Sequence, residues 1–288
     1  MTEYRITGNT RLVALLGSPV RHSQSPQIHN TAFQALNLNY AYMVFDIQQS
    51  ELEAAVQAMK TLDVAGFNVT MPHKEKVIPY LDELSEEASI IGAVNTVKND
   101  NGKLIGYNTD GMGFMMSLAE ENIPVSGKKV IVLGAGGAGK SVATQLALEN
   151  VGELMIFNRS AAPAEALCRL INEKIPTCQV SWHLLDETVL KEALSTADVL
   201  VNTTNVGMGD LKNLSLVKDA NWLHSKLKVV DIIYSPSKTK LLEIAETAGC
   251  QTVNGIGMVV GQGALAFHIW TGAHMPVADV KSGILANS

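Results

Sequence analysis

A glycine-rich loop, GAGGAGKS at residues 134–141, constrains the fold of this chain more than any other segment. It follows KKVIVL, an apolar run with the length of a buried strand, and it opens KSVATQLALEN, whose apolar residues recur at helical spacing. A strand that passes through glycines directly into a helix is the repeating unit of a parallel sheet covered by helices. Because glycines let the backbone approach a phosphate closely, the loop also predicts a phosphate-containing ligand at the start of the helix.

The loop satisfies two phosphate-binding patterns. Gly134, Gly136 and Gly139 match the GxGxxG pattern of dinucleotide-binding folds. The same segment, through its final residues Lys140 and Ser141, matches GxxxxGK[ST], the P-loop pattern of nucleotide hydrolases. Both patterns depend on backbone amides at a helix N-terminus, so residues elsewhere in the chain have to discriminate between them.

Two strand ends favour the dinucleotide interpretation. A P-loop enzyme needs an aspartate after an apolar strand to help hold magnesium, and Asp231 in LKVVD is a weak match for that role. In a dinucleotide fold the second strand ends beside the adenosine ribose, and here it ends in Asn158, Arg159 and Ser160. Arginine suits a ribose 2′-phosphate, whereas an acidic residue would suit the bare hydroxyl, so this ending favours NADP over NAD.

Strand-like and helix-like segments alternate along the chain, which predicts an α/β fold with mostly parallel sheets. The first third contains RLVALLG, PQIHNTAFQAL, NYAYMVFDI, SELEAAVQAMKTL and AGFNVT, followed by a hairpin around NDNG. The alternation restarts at Lys128, and a strongly apolar helix, GMVVGQGALAFHIWTG, is predicted to pack back on the first domain. We therefore predict an N-terminal, mostly parallel α/β substrate domain plus a Rossmann-type dinucleotide-binding domain, with a cleft between them.

Charge and composition exclude several other classes of protein. The 288 residues carry a net charge of −6 and no basic run, which argues against nucleic-acid binding. No segment is long and apolar enough to span a membrane, and the N-terminus lacks the pattern of a signal peptide. The three cysteines are far apart and the seven histidines lack metal-binding spacings, so we predict a cytoplasmic protein without a metal site. The sequence carries no signal for an oligomeric state.

Polar residues crowd the turn NVTMPHKEK, residues 68–76, between a predicted strand and VIPYLDEL, a segment with helical spacing. Strand ends in an α/β sheet are where ligands bind, because rigid elements hold the side chains there. Lys74 in this turn can both bind a hydroxyl and transfer a proton. The alternative is an ordinary helix cap with a solvated lysine.

Further polar residues are expected at neighbouring element ends of the same small domain. Ser23 and Ser25 precede a helix, where hydroxyls and backbone amides together suit a carboxylate. Asn95 is predicted on a strand, Asp110 at the start of the next helix, and Gln262 on the C-terminal helix. A ring that carries several hydroxyls and a carboxylate would use all of these groups, so we predict a small polyhydroxylated substrate.

Seven motifs of this chain resemble those of the shikimate dehydrogenase family, in the same order and over nearly the full length. They are HSQSP, NVTMPHK, GAVNT, NTDG, GAGGAG, NRS and GIGMVVGQGA. The resemblance implies the reversible, NADP-linked reduction of 3-dehydroshikimate to shikimate, a step in aromatic amino acid biosynthesis. It also implies a substrate-binding catalytic domain of residues 1–110 and 254–288, and an NADP-binding Rossmann domain of residues 111–253.

The resemblance implies a role for each matching residue. Lys74 takes the role of the catalytic lysine, with Asp110 beside it. The residues implied in substrate binding are Ser23, Ser25, Asn68, Thr70, Lys74, Asn95, Asp110, Tyr234 and Gln262. The residues implied in cofactor binding are Gly134, Ala135, Gly136, Gly137, Ala138, Asn158, Arg159, Ser160, Ile232, Gly255 and Glu86.

Several alternatives stay open at the level of the sequence. NADP-preferring members of the family often carry a second basic residue soon after the arginine, and NRSAAPAEA has none, so NAD stays a possible cofactor. A quinate/shikimate dehydrogenase would differ by one substrate hydroxyl, which the motifs resolve poorly. A P-loop NTPase is the remote alternative, and a non-catalytic NADP sensor would have no need of Lys74 and Asp110. Whether Lys74 is a general base or mainly a binding group is also open.

Overall fold

The structure, a computed structural model, describes residues 6–21 and 23–285, so His22 of the HSQSP motif lies outside the described residues. The chain divides into two compact units. The first contains the described parts of Met1–Thr109 and Val260–Ser288, and the second is Asp110–Val259. Each unit has its own sheet, and the two are described separately.

Strands and helices alternate along the described residues, as the sequence predicts. The elements of the first part are β1 Arg11–Gly17, α1 Ser25–Ala35, β2 Tyr40–Asp46, α2 Leu52–Thr61, β3 Gly66–Val69, β4 Glu83–Leu84, α3 Glu86–Ile91, β5 Thr96–Asp100 and β6 Lys103–Tyr107. They are followed by α4 Asp110–Glu120, β7 Lys129–Leu133, α5 Gly137–Leu148, β8 Glu153–Asn158, α6 Ala161–Lys174, β9 Val180–Leu184, α7 Glu187–Leu194, β10 Val199–Asn202, β11 Lys228–Asp231, α8 Lys240–Thr247, β12 Gln251–Val253, α9 Ile256–Thr271 and α10 Val277–Leu285.

The first unit is built on a sheet with the strand order β2-β1-β3-β5-β6-β4. Among its described strands only β5 runs against its neighbours, so the prediction of a mostly parallel sheet is confirmed. Asn101 and Gly102 close the β5–β6 hairpin with φ of 55° and 87°, the backbone that the NDNG motif favours. Because β1, β2 and β3 run in one direction, the loops that follow them leave the sheet at the same edge.

Helices cover both faces of this sheet. Phe67 of β3 and Val56 of α2 belong to one fully buried apolar cluster. On the opposite face, Trp270 of α9 donates its ring N–H to the carbonyl oxygen of Val97 at 2.9 Å. Gly66 makes this approach possible, because a Cβ at that position would lie 2.4 Å from the Trp270 ring. The C-terminal segment therefore packs onto the sheet of the first unit, as predicted.

The second unit is a sheet of six described parallel strands in the order β12-β11-β10-β7-β8-β9. The chain runs outward from β7 through β8 to β9, then crosses back to β10 and continues to β12. The strand order therefore reverses beside β7, and loops at such a reversal bind ligands in doubly wound sheets. The glycine loop directly follows β7. The predicted Rossmann-type arrangement is confirmed.

One predicted helix does not form, and one residue lies just outside its predicted strand. VIPYLDEL has helical spacing, yet it contains a single 3₁₀ turn at Ile78–Tyr80 and then strand β4. Pro79 removes a backbone donor from the segment. Asp82 accepts from the Leu104 amide at 2.7 Å while β4 pairs with β6, so tertiary pairing overrides the periodic pattern. Asn95 precedes β5 by one residue instead of lying on it.

Candidate active site

The loop after β3 holds Thr70 and Lys74 at the edge of the first sheet. The Thr70 amide donates to the carbonyl oxygen of Leu16 at 2.9 Å, and the Lys74 carbonyl oxygen accepts from the Val94 amide at 2.8 Å. These bonds tie the loop to β1 and to the segment before β5. Lys74 is half-buried, and no α-helix follows it before α3. A helix cap therefore does not explain this polar turn.

His73, which the sequence motifs did not assign, fixes the same loop from inside. Its side chain is fully buried, and Nε2 lies 2.6 Å from the carbonyl oxygen of Ile47. A carbonyl oxygen only accepts, so Nε2 carries the ring proton. The bond ties the residue before Lys74 to the chain just after β2. No local pattern signals this contact, because the two partners are 26 residues apart in sequence.

Asn68 and Asn95 belong to a buried polar network. Asn68 Nδ2 donates to the Asn95 carbonyl oxygen and to Thr96 Oγ1, both at 3.0 Å. Asn95 Nδ2 donates to Thr109 Oγ1 at 2.9 Å, and Asn95 Oδ1 accepts from the Thr109 amide at 2.9 Å. Tyr42, a second residue that the motifs did not assign, donates its hydroxyl to Asn68 Oδ1 at 2.7 Å. Asn68 uses both amide protons inside the protein, so it can contact a ligand only as an acceptor.

His29 packs against Tyr42 in an aromatic cluster. The two rings are stacked at 4.6 Å with an interplanar angle of 13°, and the Trp270 ring lies 5.1 Å from His29. Both ring nitrogens of His29 are buried and lack a hydrogen-bond partner among the described residues. Burial lowers the pKa of His29 from 6.5 to about 3, because the protonated ring would carry a charge away from water.

This buried imidazole should make the protein sensitive to acid. Between pH 6.5 and pH 3 the unfolded chain binds a proton at His29 that the folded chain does not bind. The free energy of unfolding is therefore unaffected by His29 above pH 6.5 and falls as the pH drops, by about 2 kcal/mol at pH 5. His29→Phe keeps an aromatic ring and removes this titration, so the variant should lose less stability between pH 7.5 and pH 5.

Urea unfolding midpoints at the two pH values measure this difference. His274→Phe is the matched control, because His274 is an exposed histidine of the same unit. We expect the control to keep the acid sensitivity of the wild type. A His29→Phe variant as acid-sensitive as the control would contradict the prediction.

Ser23 and Ser25 flank the start of α1. Gln24, the residue before the helix, makes no side-chain hydrogen bond to the first turn, and Pro26 lies in that turn. Ser23 Oγ accepts from the Ser25 amide at 3.2 Å. None of the described residues of the first turn is acidic. The amino end of α1 thus presents hydroxyls and an uncompensated positive dipole end, a combination that suits a carboxylate.

Asp110, Tyr234 and Gln262 complete the predicted substrate set. Asp110 is buried and begins α4 in the second unit, where Gly111 allows close packing of α4 on α5. Tyr234 is half-buried after β11 in the same unit, and burial raises the pKa of its phenol. Gln262 is half-buried on α9, in the part that belongs to the first unit. That these three residues act on the same substrate as Lys74 stays a prediction.

Each glycine of the GxGxxG pattern has a different physical reason. Gly134 has a φ of 103°, which favours glycine in the tight turn after β7. At Gly139 a Cβ would lie 2.3 Å from the Gly134 carbonyl oxygen, so this glycine lets the helix approach the loop. At Gly136 φ is −80° and a Cβ would meet nothing within 4 Å. The described protein therefore leaves free space over Gly136, as expected where a pyrophosphate approaches the backbone.

The end of β8 is organised by Asn158. Its Oδ1 accepts from the Ala135 amide at 3.2 Å, and its Nδ2 donates to the Ser160 carbonyl oxygen at 2.9 Å. These bonds join the glycine loop to the turn after β8. Arg159 in this turn is exposed, and no acidic side chain of the described residues pairs with it. Its guanidinium is thus available to an anionic ligand.

Asp231 organises the loops after β10 and β11. It is fully buried, and Oδ1 accepts from Asn202 Nδ2 at 3.0 Å and from the Ile233 amide at 3.1 Å. Oδ2 accepts from the Thr239 hydroxyl at 2.7 Å. Burial raises the pKa of Asp231 to about 6, and the three hydrogen bonds oppose that rise. The network fixes the backbone on both sides of Ile232.

The P-loop interpretation finds no support in this geometry. Asp231 is fully buried and both of its oxygens accept hydrogen bonds from the protein, so it is not placed to hold magnesium. The Ser141 hydroxyl, which would contact magnesium in a P-loop, is fully buried and donates to the Gly137 carbonyl oxygen at 3.1 Å. The loop between β7 and α5 instead has the position that a dinucleotide-binding turn takes in a doubly wound sheet.

Two predicted cofactor residues have structural explanations of their own. Gly255 donates its amide to the Ile233 carbonyl oxygen at 2.9 Å, and a Cβ there would lie 1.9 Å from the Ile232 carbonyl oxygen. Glu86 is exposed at the start of α3 in the first unit, where Ser85 caps the helix and acidic residues favour its N-terminus. Their contacts with a cofactor stay predictions.

No group of three or more histidine, cysteine, aspartate or glutamate side chains in residues 6–21 and 23–285 could hold a metal ion. Within the same ranges no helix has the length and apolar character needed to cross a bilayer.

A doubly wound parallel unit, with its glycine loop at the reversal of strand order, defines the class of Rossmann-type dinucleotide-binding proteins. Three family models match the chain more narrowly. They are the shikimate dehydrogenase substrate binding domain at residues 15–97, shikimate / quinate 5-dehydrogenase at residues 117–241, and the shikimate 5′-dehydrogenase C-terminal domain at residues 255–282. The chain belongs to the shikimate dehydrogenase family.

Individual relatives agree with this assignment. A shikimate dehydrogenase (NADP(+)) of Alkaliphilus metalliredigens (strain QYMF) is 55% identical over 284 residues, which cover 99% of each chain. The solved shikimate 5-dehydrogenase of Listeria monocytogenes, in complex with shikimate and NAD, is 44% identical over 98% of each chain, with a TM-score of 0.93. The quinate dehydrogenase of Corynebacterium glutamicum, in complex with NAD, is 30% identical, with a TM-score of 0.89 over 96% of this chain and 99% of that one.

Proposed function

We propose that this chain catalyses the reversible, NADP-linked reduction of 3-dehydroshikimate to shikimate in aromatic amino acid biosynthesis. The observation that carries the proposal is the 55% identity, over 99% of both chains, to a relative named shikimate dehydrogenase (NADP(+)). The polar groups at the edge of the first sheet support it, because they suit a ring with a carboxylate and several hydroxyls.

The proposed roles follow from the chemistry of each side chain. Ser23 and Ser25, at the amino end of α1, receive the substrate carboxylate. Other polar side chains of the set receive ring hydroxyls; they are Asn68, Thr70, Asn95, Asp110 and Gln262. Tyr234 lines the substrate site. Asn68 contributes only as an acceptor, since both of its amide protons are used within the protein.

Lys74 is proposed to act at the oxygen that changes between carbonyl and hydroxyl. In the reductive direction this oxygen gains negative charge, and an ammonium group stabilises that charge while it supplies a proton. In the oxidative direction the same side chain takes the hydroxyl proton. Asp110, also proposed as catalytic, would favour the ammonium form and orient it. The backbone bonds at Thr70 and Lys74, together with buried His73, hold the lysine in place.

The residues of the second unit fit NADP, which supplies the hydride acceptor or donor for this chemistry. The free space over Gly136 and the first amides of α5 suit the pyrophosphate, which the loop from Gly134 to Ala138 would hold. The turn after β8 would hold the adenosine end through Asn158, Arg159 and Ser160. The backbone at Ile232 and Gly255, fixed by the Asp231 network, would line the nicotinamide end.

Arg159 should determine the preference for NADP over NAD. Arg159→Ala removes an exposed guanidinium that has no acidic partner among the described residues, so stability should not change. We expect KM for NADP to rise about tenfold and KM for NAD to stay unchanged, because only NADP carries the 2′-phosphate. Arg169→Ala is the control, since Arg169 is exposed on α6 and pairs with Glu165. An equal change in both KM values would contradict the assignment.

Absorbance at the nicotinamide band tests the function directly. The purified protein is mixed with shikimate or quinate, each with NADP or with NAD. A signal with shikimate and NADP alone supports the proposal. Comparable signals with quinate or with NAD would instead assign the chain to the broader quinate/shikimate group, a second candidate that the 30% identity to a quinate dehydrogenase favours. If the absorbance changed in none of the four mixtures, both candidate functions would be contradicted and a non-catalytic NADP sensor would remain.

We also propose the bounds of the two domains and a cellular location. Residues 1–110 and 254–288 form the substrate-binding catalytic domain, and residues 111–253 form the NADP-binding domain; the compact units at Met1–Thr109 with Val260–Ser288 and at Asp110–Val259 support this division. A cytoplasmic location is supported by three buried cysteines that are all free thiols, as a reducing compartment would keep them.

A further inference from the structure

Tyr42 of β2 places a hydroxyl at the centre of the polar network in the first unit. The side chain is 3% exposed, and its hydroxyl lies 2.7 Å from Asn68 Oδ1. The orientation of the Asn68 amide is determined by the Asn95 carbonyl oxygen, which can only accept and therefore faces Nδ2. Oδ1 must then face Tyr42 as an acceptor. The single phenolic proton of Tyr42 is thus given to Asn68.

Asn68 has one site left for a ligand. Both of its amide protons are used, by the Asn95 carbonyl oxygen and by Thr96 Oγ1, and its Oδ1 accepts the Tyr42 proton with one of two lone pairs. The phenol therefore determines which side of Asn68 Oδ1 stays open to a ring hydroxyl.

Tyr42 itself is held rigidly. Asn30 of α1 accepts from the Tyr42 amide at 2.8 Å and donates to the Tyr42 carbonyl oxygen at 3.1 Å, so its amide group satisfies both backbone groups of this residue. The His29 ring stacks on the phenol at 4.6 Å. Since β2 is the edge strand of the sheet, these contacts replace the neighbouring strand that would otherwise fix the residue.

We propose that Tyr42 is a positioning residue for the substrate, which acts through Asn68 and orients the Oδ1 atom that receives a ring hydroxyl. This inference rests on the proposed function. Loss of the hydroxyl leaves Asn68 Oδ1 without its buried donor, so the amide is held less firmly and the bound ring loses part of its contact there. The reacting oxygen is handled by Lys74, so binding should suffer more than turnover.

Tyr42→Phe tests the inference, with Tyr40→Phe as its matched control. Tyr40 lies two residues earlier on the same strand, its ring stacks on Phe33, and within the described residues its hydroxyl has no hydrogen-bond partner. For Tyr42→Phe we expect KM for shikimate to rise about tenfold, with kcat changed less than about twofold. KM for NADP should be unchanged. Tyr40→Phe should resemble the wild type in all three values.

A double-mutant cycle separates positioning from a general loss of structure. On an Asn68→Ala background the acceptor of the Tyr42 proton no longer exists. Tyr42→Phe should then raise KM for shikimate by less than about threefold, because its effect passes through the missing amide. If Tyr42→Phe raised KM for shikimate by the same factor in both backgrounds, its effect would be purely structural and the inference would be overturned.

The outcomes distinguish this inference from the proposed function. A wild type that does not oxidise shikimate overturns both. An active wild type in which Tyr42→Phe and Tyr40→Phe behave alike overturns only the role of Tyr42. If Tyr42→Phe does not fold, Thr96→Val replaces it, because this change removes the hydroxyl that Asn68 Nδ2 contacts at 3.0 Å. We expect KM for shikimate to rise about threefold in that variant, and an unchanged KM overturns the inference.

Discussion

Replacing Lys74 by alanine is expected to lower kcat for shikimate oxidation about a thousandfold while it changes KM for shikimate by less than about threefold. The ammonium group stabilises negative charge on the reacting oxygen, and that charge exists only near the transition state. The substrate keeps its other contacts, so the ground-state complex should still form. The backbone of the loop is held by hydrogen bonds to Leu16 and Val94, which the substitution does not remove, so the loop should keep its conformation.

Lys76→Ala is the control for this experiment, because Lys76 is exposed in the same loop and lies two residues further on. It should retain the activity of the wild type. Adding a primary alkylamine to Lys74→Ala provides a second readout, since a soluble ammonium group can enter the vacated space and restore part of the rate. If kcat and the affinity for shikimate fell by equal factors, Lys74 would be assigned to substrate binding alone. A loss of kcat below about tenfold would exclude Lys74 as the proton donor.

Local patterns were sufficient to predict the elements that position the site. The strand that ends at Val69 and the polar turn after it follow from an apolar run bounded by turn residues. The hairpin at Asn101 and Gly102 follows from a dipeptide that tolerates positive φ. The glycine loop and its helix follow from a spacing in which Gly134 provides a positive φ, Gly139 allows the helix to approach the loop, and Gly136 leaves free space. In each case the cause lies within about ten residues of sequence, which is why the sequence is informative there.

The partners of the site residues could not be predicted in this way. Tyr42 alternates with its neighbours as an ordinary core residue would, and its contact with Asn68 spans 26 residues. The contact between Asp231 and Asn202 spans 29 residues, so an isolated aspartate after a strand could equally be assigned to magnesium. The helix predicted from the spacing of VIPYLDEL is absent for the same reason, because β4 forms in this segment by pairing with β6. Tertiary contacts thus decide which polar residues orient the site.

A substitution in the glycine loop is expected to have the second large effect, on the binding of NADP. Gly136→Val should weaken the binding of NADP about a hundredfold, because a branched side chain would occupy the free space over the loop that the pyrophosphate needs. The protein itself has room for the change. A Cβ at Gly136 meets nothing within 4 Å, and a φ of −80° is open to any residue. Only a cost of about 1 kcal/mol in stability is expected, since valine begins a helix less well than glycine.

Gly139→Val is the matched comparison, with the same substitution three residues later in the same loop and helix. Its Cβ would lie 2.3 Å from the Gly134 carbonyl oxygen and 2.8 Å from Thr203 Oγ1, so the strain falls on the fold and should cost about 3 kcal/mol or more. Thermal unfolding and NADP titration of both variants separate the two effects. If Gly136→Val bound NADP like the wild type, or lost as much stability as Gly139→Val, this loop would not be the pyrophosphate site. Unchanged NADP affinity would direct the search for the cofactor to another part of the second unit, because the free space at Gly136 is what distinguishes a ligand-binding glycine from one that the fold requires.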